Sequence, residues 1–209
     1  MKPINNYNKI VSKTSKLVKN YMNDLNDVSH DFIHICLVLK FALLIAKKEG
    51  IIDKRDLFHI KMGALLHDIG DSKYTKDNQA IIINSFLDKN ISGINKYDKN
   101  EIIRISSNIS LSKDNYNGCT KKINKKDLKL FIVQDADRIN SLGAIGIMRY
   151  VSYNIKNSKS PSFKEIISNM ENRTKKLMTK IRTKSGREIA NNQVILVNLF
   201  INNYKLFIR

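Results

Sequence analysis

The chain has 209 residues, 42% of them hydrophobic and 27% charged, with a formal net charge of +18, which leaves room for one domain with a real core and excludes disorder throughout. No apolar run reaches the ~18 residues of a membrane-spanning helix, and the opening MKPINNYNKIVSK lacks the apolar stretch of a secretory signal. Two cysteines, Cys36 and Cys119, cannot make a disulfide framework, so the expected compartment is reducing and intracellular, the cytoplasm.

Only two prolines and eight glycines interrupt the chain, and the long mixed segments between them predict an all-α protein. A first helix is expected from Ile10 to about Leu25. Asn26 to Ser29 breaks it, and Ser29 is placed to cap the next. That second helix runs from about Asp31 to Lys48, stops at Glu49-Gly50, and is apolar enough to be central. Asp53 caps a third, DKRDLFHIKMGALLHD, ending near Gly70. A fourth covers about Asp77 to Leu87 and a fifth about Asp98 to Ser106. Residues 107–126 are polar, lack a clean period and read as a long loop, a frequent carrier of function. Asp127 caps a sixth helix closed near Gly143, and a seventh spans about Ala144 to Asn157. Ser162 with Glu165 forms a capping box for a further helix, and an amphipathic segment fills about Glu188 to Phe207. No repeat and no second domain is apparent.

The charge suggests nucleic acid, but its make-up weakens that suggestion. The cations are 29 Lys and only 8 Arg, beside 31 Ile and 25 Asn. A/T-rich codons raise Lys, Ile and Asn together without selection for binding, as in a giant virus or a low-GC bacterium. Arg, the better bidentate phosphate ligand, is not enriched. A solvated Lys-rich surface, the run at 121–129 included, is the plain reading; attraction of small polyanions such as nucleotides is intermediate.

Histidine is scarce: His30, His34, His59 and His67. His34 lies within one apolar helix, His67-Asp68 ends another, and Asp135 and Asp137 lie in a third. Buried imidazoles and carboxylates need partners. Each could be met locally, a histidine by a core hydrogen bond and an aspartate by Arg138. Alternatively, one divalent cation satisfies all three helices, and this donor mix suits Mn, Fe, Ni, Co or Zn better than Ca. Other features read as packing: Cys36 and the methionines Met62, Met148, Met170 and Met178 as core, Ile81 to Ile83 as a buried face, and Gly143, Ala144 and Gly146 as a close helix contact.

The blocks SHDFIHICLVLKFALLIAKKEG (29–50), KMGALLHDIGDSKY (61–74), FIVQDADRINSLGAIGIMRY (131–150) and TKSGREIA (183–190) resemble, in that order, the HD-domain metal-dependent phosphohydrolases. Among these they are most similar to the small bacterial-type proteins that hydrolyse nucleotides. The resemblance spans about residues 29–200 and implies a helical HD-type domain over 29–209, preceded by an N-terminal helix within 1–28. It implies metal ligands at His34, His67, Asp68 and Asp137, with Asp135 the rival for the last place; residues two apart on a helix face differently, so only one should reach the metal. It implies one divalent metal, Mn foremost, with Mg, Ni, Co, Fe or Zn as options. Asp71 stands where an acidic residue orients or deprotonates the attacking water, and His30 could donate to a phosphate or leaving group. Lys73, Lys113 and Arg187 are phosphate-contact candidates. Ile139-Asn140 replaces the usual Leu-Asp after the Asp-Arg pair.

The reaction so implied is hydrolysis of a (deoxy)nucleoside triphosphate to monophosphate and pyrophosphate. A nucleoside monophosphatase, a guanosine tetraphosphate hydrolase and a non-catalytic nucleotide- or nucleic-acid-binding module are the alternatives. No membrane partner is expected, and monomer and dimer are both open.

Overall fold

The computed structural model describes residues 6–25, 31–72, 75–111, 114, 125–160 and 162–207, the side chains of 125 and 126 excepted. Among them are nine helices: α1 (Tyr7–Leu25), α2 (Phe32–Lys48), α3 (Lys54–Leu66), α4 (Gln79–Asn90), α5 (Lys96–Ser106), α6 (Lys125–Asn140), α7 (Gly143–Asn157), α8 (Phe163–Lys180) and α9 (Lys184–Phe207). The all-α expectation holds for these residues, and none of the helices is long and apolar enough to cross a membrane.

The ends follow capping chemistry, with several corrections to the expected caps. Asp31, not Ser29, caps α2, its carboxylate accepting from the His34 backbone N–H at 3.0 Å; Ser29 lies outside the described residues. Asp53 caps α3 as expected, whereas Asn78 and Asn95 cap α4 and α5 a residue or more away from the Asp77 and Asp98 starts. Asp127 sits inside the first turn of α6, where its charge suits the helix dipole, instead of preceding it. Ser162 occupies the N-cap position of α8, but its side chain makes no cap hydrogen bond, so the capping box does not form.

Helix α2 is central, as its composition predicts: it packs on α1, α3, α6 and α9. Val38, Ala42 and Ile45 of α2, Ile60 and Ala64 of α3, and Ile132, Val133, Ala136 and Ile139 of α6 form one fully buried core. A second core joins Ile10, Val18 and Met22 of α1 to Phe58, Met62, Leu65 and Leu66 of α3 and to Ile83 and Leu87 of α4. Helix α1 therefore shares its apolar face with the following helices. A third, smaller cluster ties α7, α8 and α9. Two glycines are required by close approach. A Cβ on Gly63 would lie 2.4 Å from the Ile105 side chain, and one on Gly146 only 2.3 Å from the Ser141 backbone.

Some packing expectations fail. Cys36 is exposed because its direction on α2 points away from the buried row of Ile35, Val38 and Ala42. Of the Ile81 to Ile83 run only Ile83 is buried, Ile81 being 68% exposed, since adjacent helical positions cannot share a face. Met62 and Met170 are core, but Met148 is 70% exposed. Lys129 is buried instead of solvated.

Lys129 belongs to a buried polar network between α3, α5 and α6. Its ammonium lies 2.9 Å from Asp56, 3.2 Å from Glu101 and 3.2 Å from His59 Nδ1. His59 Nε2 meets Asp98 at 2.7 Å, and Arg55 donates to the same oxygen at 2.6 Å. Burial pushes the His59 imidazolium below its ordinary value, more than the Asp98 hydrogen bond restores it. Burial alone would raise Glu101; the Arg104 fork, at 2.8 and 2.9 Å, and the Lys129 ammonium reverse that and hold it at about 2.

A carboxyl held below its unfolded value of 4.5 adds stability above that pH and loses it as the pH falls toward about 2. Urea unfolding from pH 5 to 2 is expected to show a loss up to about 3 kcal/mol larger in the wild type than in Glu101→Gln. Parallel curves for the two proteins would remove Glu101 from the acid-labile set.

Candidate metal centre

His34 sits in the first turn of α2, where the Asp31 cap holds its backbone N–H. His67 is the C-cap of α3, and its ring Nδ1–H donates to the Ala64 carbonyl at 2.8 Å, which leaves the Nε2 lone pair facing inward. The chain after it is bent by Gly70 at φ +64°, where a Cβ would lie 2.8 Å from Ile82. Gln79 braces the same turn by donating to the carbonyls of His67 at 2.6 Å and Ile69 at 3.2 Å. Asp68 and Asp71 follow on this bend, both buried, with the Asp71 N–H donating to the Asp68 carbonyl at 3.3 Å.

These elements bring the polar ends together. His34 Nε2 lies 3.1 Å from His67 Nε2, 3.4 Å from Asp68 Oδ2 and 3.5 Å from Asp137 Oδ1. His67 Nε2 lies 3.5 Å from Asp68 Oδ1 and 3.8 Å from Asp137 Oδ1. Donor atoms of His34, His67 and Asp68 all fall within 4.8 Å of one another, a grouping that could hold a metal ion. Two imidazole nitrogens at metal-bond lengths of ~2.1 Å and 3.1 Å apart subtend about 95° at a shared ion, an ordinary ligand angle. The donor set therefore fits a divalent transition metal.

The two α6 aspartates separate as the helix requires. Asp137 turns to the histidines with its side chain 25% exposed. Asp135 is fully buried on another face, accepting from the backbone N–H groups of Arg182 and Thr183 and from the Thr183 hydroxyl, the last at 2.7 Å. It also lies 3.7 Å from Arg138, so the local pairing weighed for VQDADR applies to Asp135. Burial pushes its carboxyl up against these donors.

The cluster opens into a cleft of about 270 Å³. His34, His67, Asp68 and Asp137 line it together with Asp71, and so do Ser141, Arg149, Tyr150, Tyr153 and Arg173. Arg173 donates to the Ser141 hydroxyl at 3.4 Å and lies 5.3 Å from the Tyr150 ring centre. Burial pushes the Arg173 guanidinium below its ordinary value, and the Asp137 charge opposes this. It stays cationic at any physiological pH.

His30, Lys73 and Lys113 lie outside the described residues. Arg187 is a correction: it does not line the cleft, and its guanidinium donates to the Ile181 carbonyl at 3.3 Å and the Arg182 carbonyl at 2.8 Å, tying the α8–α9 turn. Among the described residues, the cations lining the cleft are Arg149 and Arg173. Arg is scarce in this chain, with 8 residues, and that scarcity points to them as much as to Arg187. Asn140 was legible only as a departure; its amide meets His34 Nδ1 at 2.5 Å.

A family model described as the HD domain matches residues 31–142, more than half of the chain, and the chain belongs to that family. It is 29% identical over 151 residues to an uncharacterized protein of Acanthamoeba polyphaga mimivirus, covering 67% of this chain and 59% of that one. It is 32% identical over 123 residues to the uncharacterized protein YpgQ of Bacillus subtilis, covering 57% and 55%. These alignments thus span under two thirds of the curated relatives' lengths. The same fold is found in YpgQ crystallised with ADP (22% identity, TM-score 0.70, 93% of this chain and 96% of that one). It is found again in an HD-superfamily hydrolase from Bacillus thuringiensis (24%, TM-score 0.71, 95% and 96%).

The two aspartates should separate experimentally. Asp135→Ala strips two buried backbone N–H groups and the Thr183 hydroxyl of their acceptor and is expected to cost about 3–5 kcal/mol of stability. Asp137→Ala should cost less than about 1 kcal/mol while lowering the divalent metal content measured by elemental analysis after metal loading. The reverse pattern would exchange their roles.

Proposed function

We propose that the protein is a metal-dependent phosphohydrolase acting on nucleotides, with His34, His67, Asp68 and Asp137 holding one divalent cation, manganese foremost. The observation that carries this reading is the cluster of two imidazoles and two carboxylates lining a cleft that also bears two guanidiniums. A cation held there supplies charge neutralisation for phosphorus and lowers the pKa of bound water.

The chain's own residues supply positioning. Asp71, on the cleft wall beside Asp68, would orient the attacking water or take its proton. Arg149 and Arg173 would bind phosphate oxygens, and Tyr150 and Tyr153 would offer ring faces to a base or sugar. His30, as donor to the leaving group, and Lys73 and Lys113, as phosphate contacts, complete the proposal from sequence position alone. Because phosphoryl transfer is largely a matter of positioning and charge stabilisation, these roles suffice for catalysis without a protein nucleophile.

The preferred reaction is hydrolysis of a nucleoside or deoxynucleoside triphosphate to monophosphate and pyrophosphate. Two arginines in the cleft in addition to the cluster favour a substrate with several phosphates over a monophosphate. The ADP bound by YpgQ supports a nucleotide with at least a β-phosphate. The compartment this reading implies is the cytoplasm.

Purified protein with manganese should release pyrophosphate from a nucleoside triphosphate panel, detected separately from orthophosphate. His67→Ala combined with Asp68→Ala should abolish both bound manganese and turnover; activity surviving in that variant refutes the site. Arg149→Ala and Arg173→Ala should each raise KM for triphosphates by about tenfold or more, the loss of one charge-assisted phosphate contact. Orthophosphate released from nucleoside monophosphates, with no pyrophosphate from the triphosphates, would move the assignment to the monophosphatase reading. Binding to nucleic acid without turnover, steeply salt-dependent, would move it to the non-catalytic one.

A further inference from the structure

A metal-binding imidazole is useful only if its ring is held by the nitrogen that does not face the ion. For His67 that hold is a backbone carbonyl, Ala64, at 2.8 Å. For His34 it is a side chain. Asn140 lies three residues beyond Asp137 at the end of α6, is 2% exposed, and brings its amide to 2.5 Å from His34 Nδ1. The contact joins α6 to the first turn of α2 across 106 residues of sequence.

We infer that Asn140 is a positioning residue: by orienting the His34 ring it sets how tightly the cluster holds its cation. The inference rests on reading the cluster as a cation site. When the Nε2 lone pair of His34 faces the cluster, Nδ1 carries the ring proton and needs an acceptor. The Asn140 side chain supplies its carbonyl end by a half-turn of the amide, whose two ends are nearly the same shape. As a neutral acceptor it orients the ring without the added basicity a carboxylate would confer on the ligand nitrogen. Cation affinity is thereby tuned by a residue that never touches the ion.

The test is calorimetric titration of manganese into chelator-treated, dialysed full-length wild type, Asn140→Ala and Asn140→Asp, with melting temperatures measured alongside. Asn140→Ala should bind manganese about 10–100-fold more weakly. Asn140→Asp, close in shape and still an acceptor, should bind at least as tightly as wild type. In the zinc-loaded proteins the His34 Nδ1 proton should give a slowly exchanging NMR signal in wild type and Asn140→Asp that is absent from Asn140→Ala. Affinity of Asn140→Ala within about threefold of wild type, or Asn140→Asp weakened tenfold or more, overturns the inference. Should Asn140→Ala fail to fold, the Asn140→Asp affinity and NMR signal decide it. A wild type that binds no manganese or zinc overturns the cation reading itself, a separate and recognisable result.

Discussion

Two imidazoles and two carboxylates meet at the junction of α2, α3 and α6, where neighbouring turns are filled with Val, Ile, Leu and Ala. Removing such groups from water costs several kcal/mol each unless something compensates. That demand shapes the rest of the molecule. α2 and α6 must cross closely enough for His34 to reach Asp137 and Asn140, so their contacting faces are small or branched: Val38, Ala42, Ala136 and Ile139. α3 must end at His67, so the turn after it is bent by a left-handed glycine and braced by Gln79.

The fold contains other buried ionic groups, and the contrast with the one around His59 is informative. Around His59 the acids Asp98, Asp56 and Glu101 are matched by Arg55, Lys129 and Arg104. That network carries its own cations and joins α3, α5 and α6. The cluster at His34 is built from imidazoles and carboxylates and faces a cleft. The first arrangement is that of a structural ion network. The second has the donor types of a divalent metal and an entry path for a substrate.

Much of this was legible from residue order. Helix number, the central place of α2, and the separation of Asp135 from Asp137 follow from periodicity, capping and the 100° step between helical positions. What was not legible depends on direction. Cys36, Ile81 and Met148 belong to apolar stretches, yet their azimuth on the helix leaves them exposed. Lys129 read as solvent-facing because composition cannot show that Glu101 and Asp56 converge on it. The cleft arginines were hidden for the same reason. Arg149 and Arg173 come from α7 and α8, and only the packing of those helices against α6 and α9 turns them toward the cluster. Arg187, sequentially as plausible, is taken up by carbonyls at the end of α8.

The Asp31 cap has a dynamic consequence. The opening turn of any helix is its most easily frayed part, because its first four N–H groups have no partner within the helix, and His34 stands in that turn. The Asp31 carboxylate at 3.0 Å and its backbone carbonyl at 3.1 Å share the His34 N–H and secure the backbone of the first imidazole against local melting. Amide hydrogen exchange at residue 34 reports that event directly: were the turn to open, the His34 imidazole would leave three donors that stand on other elements.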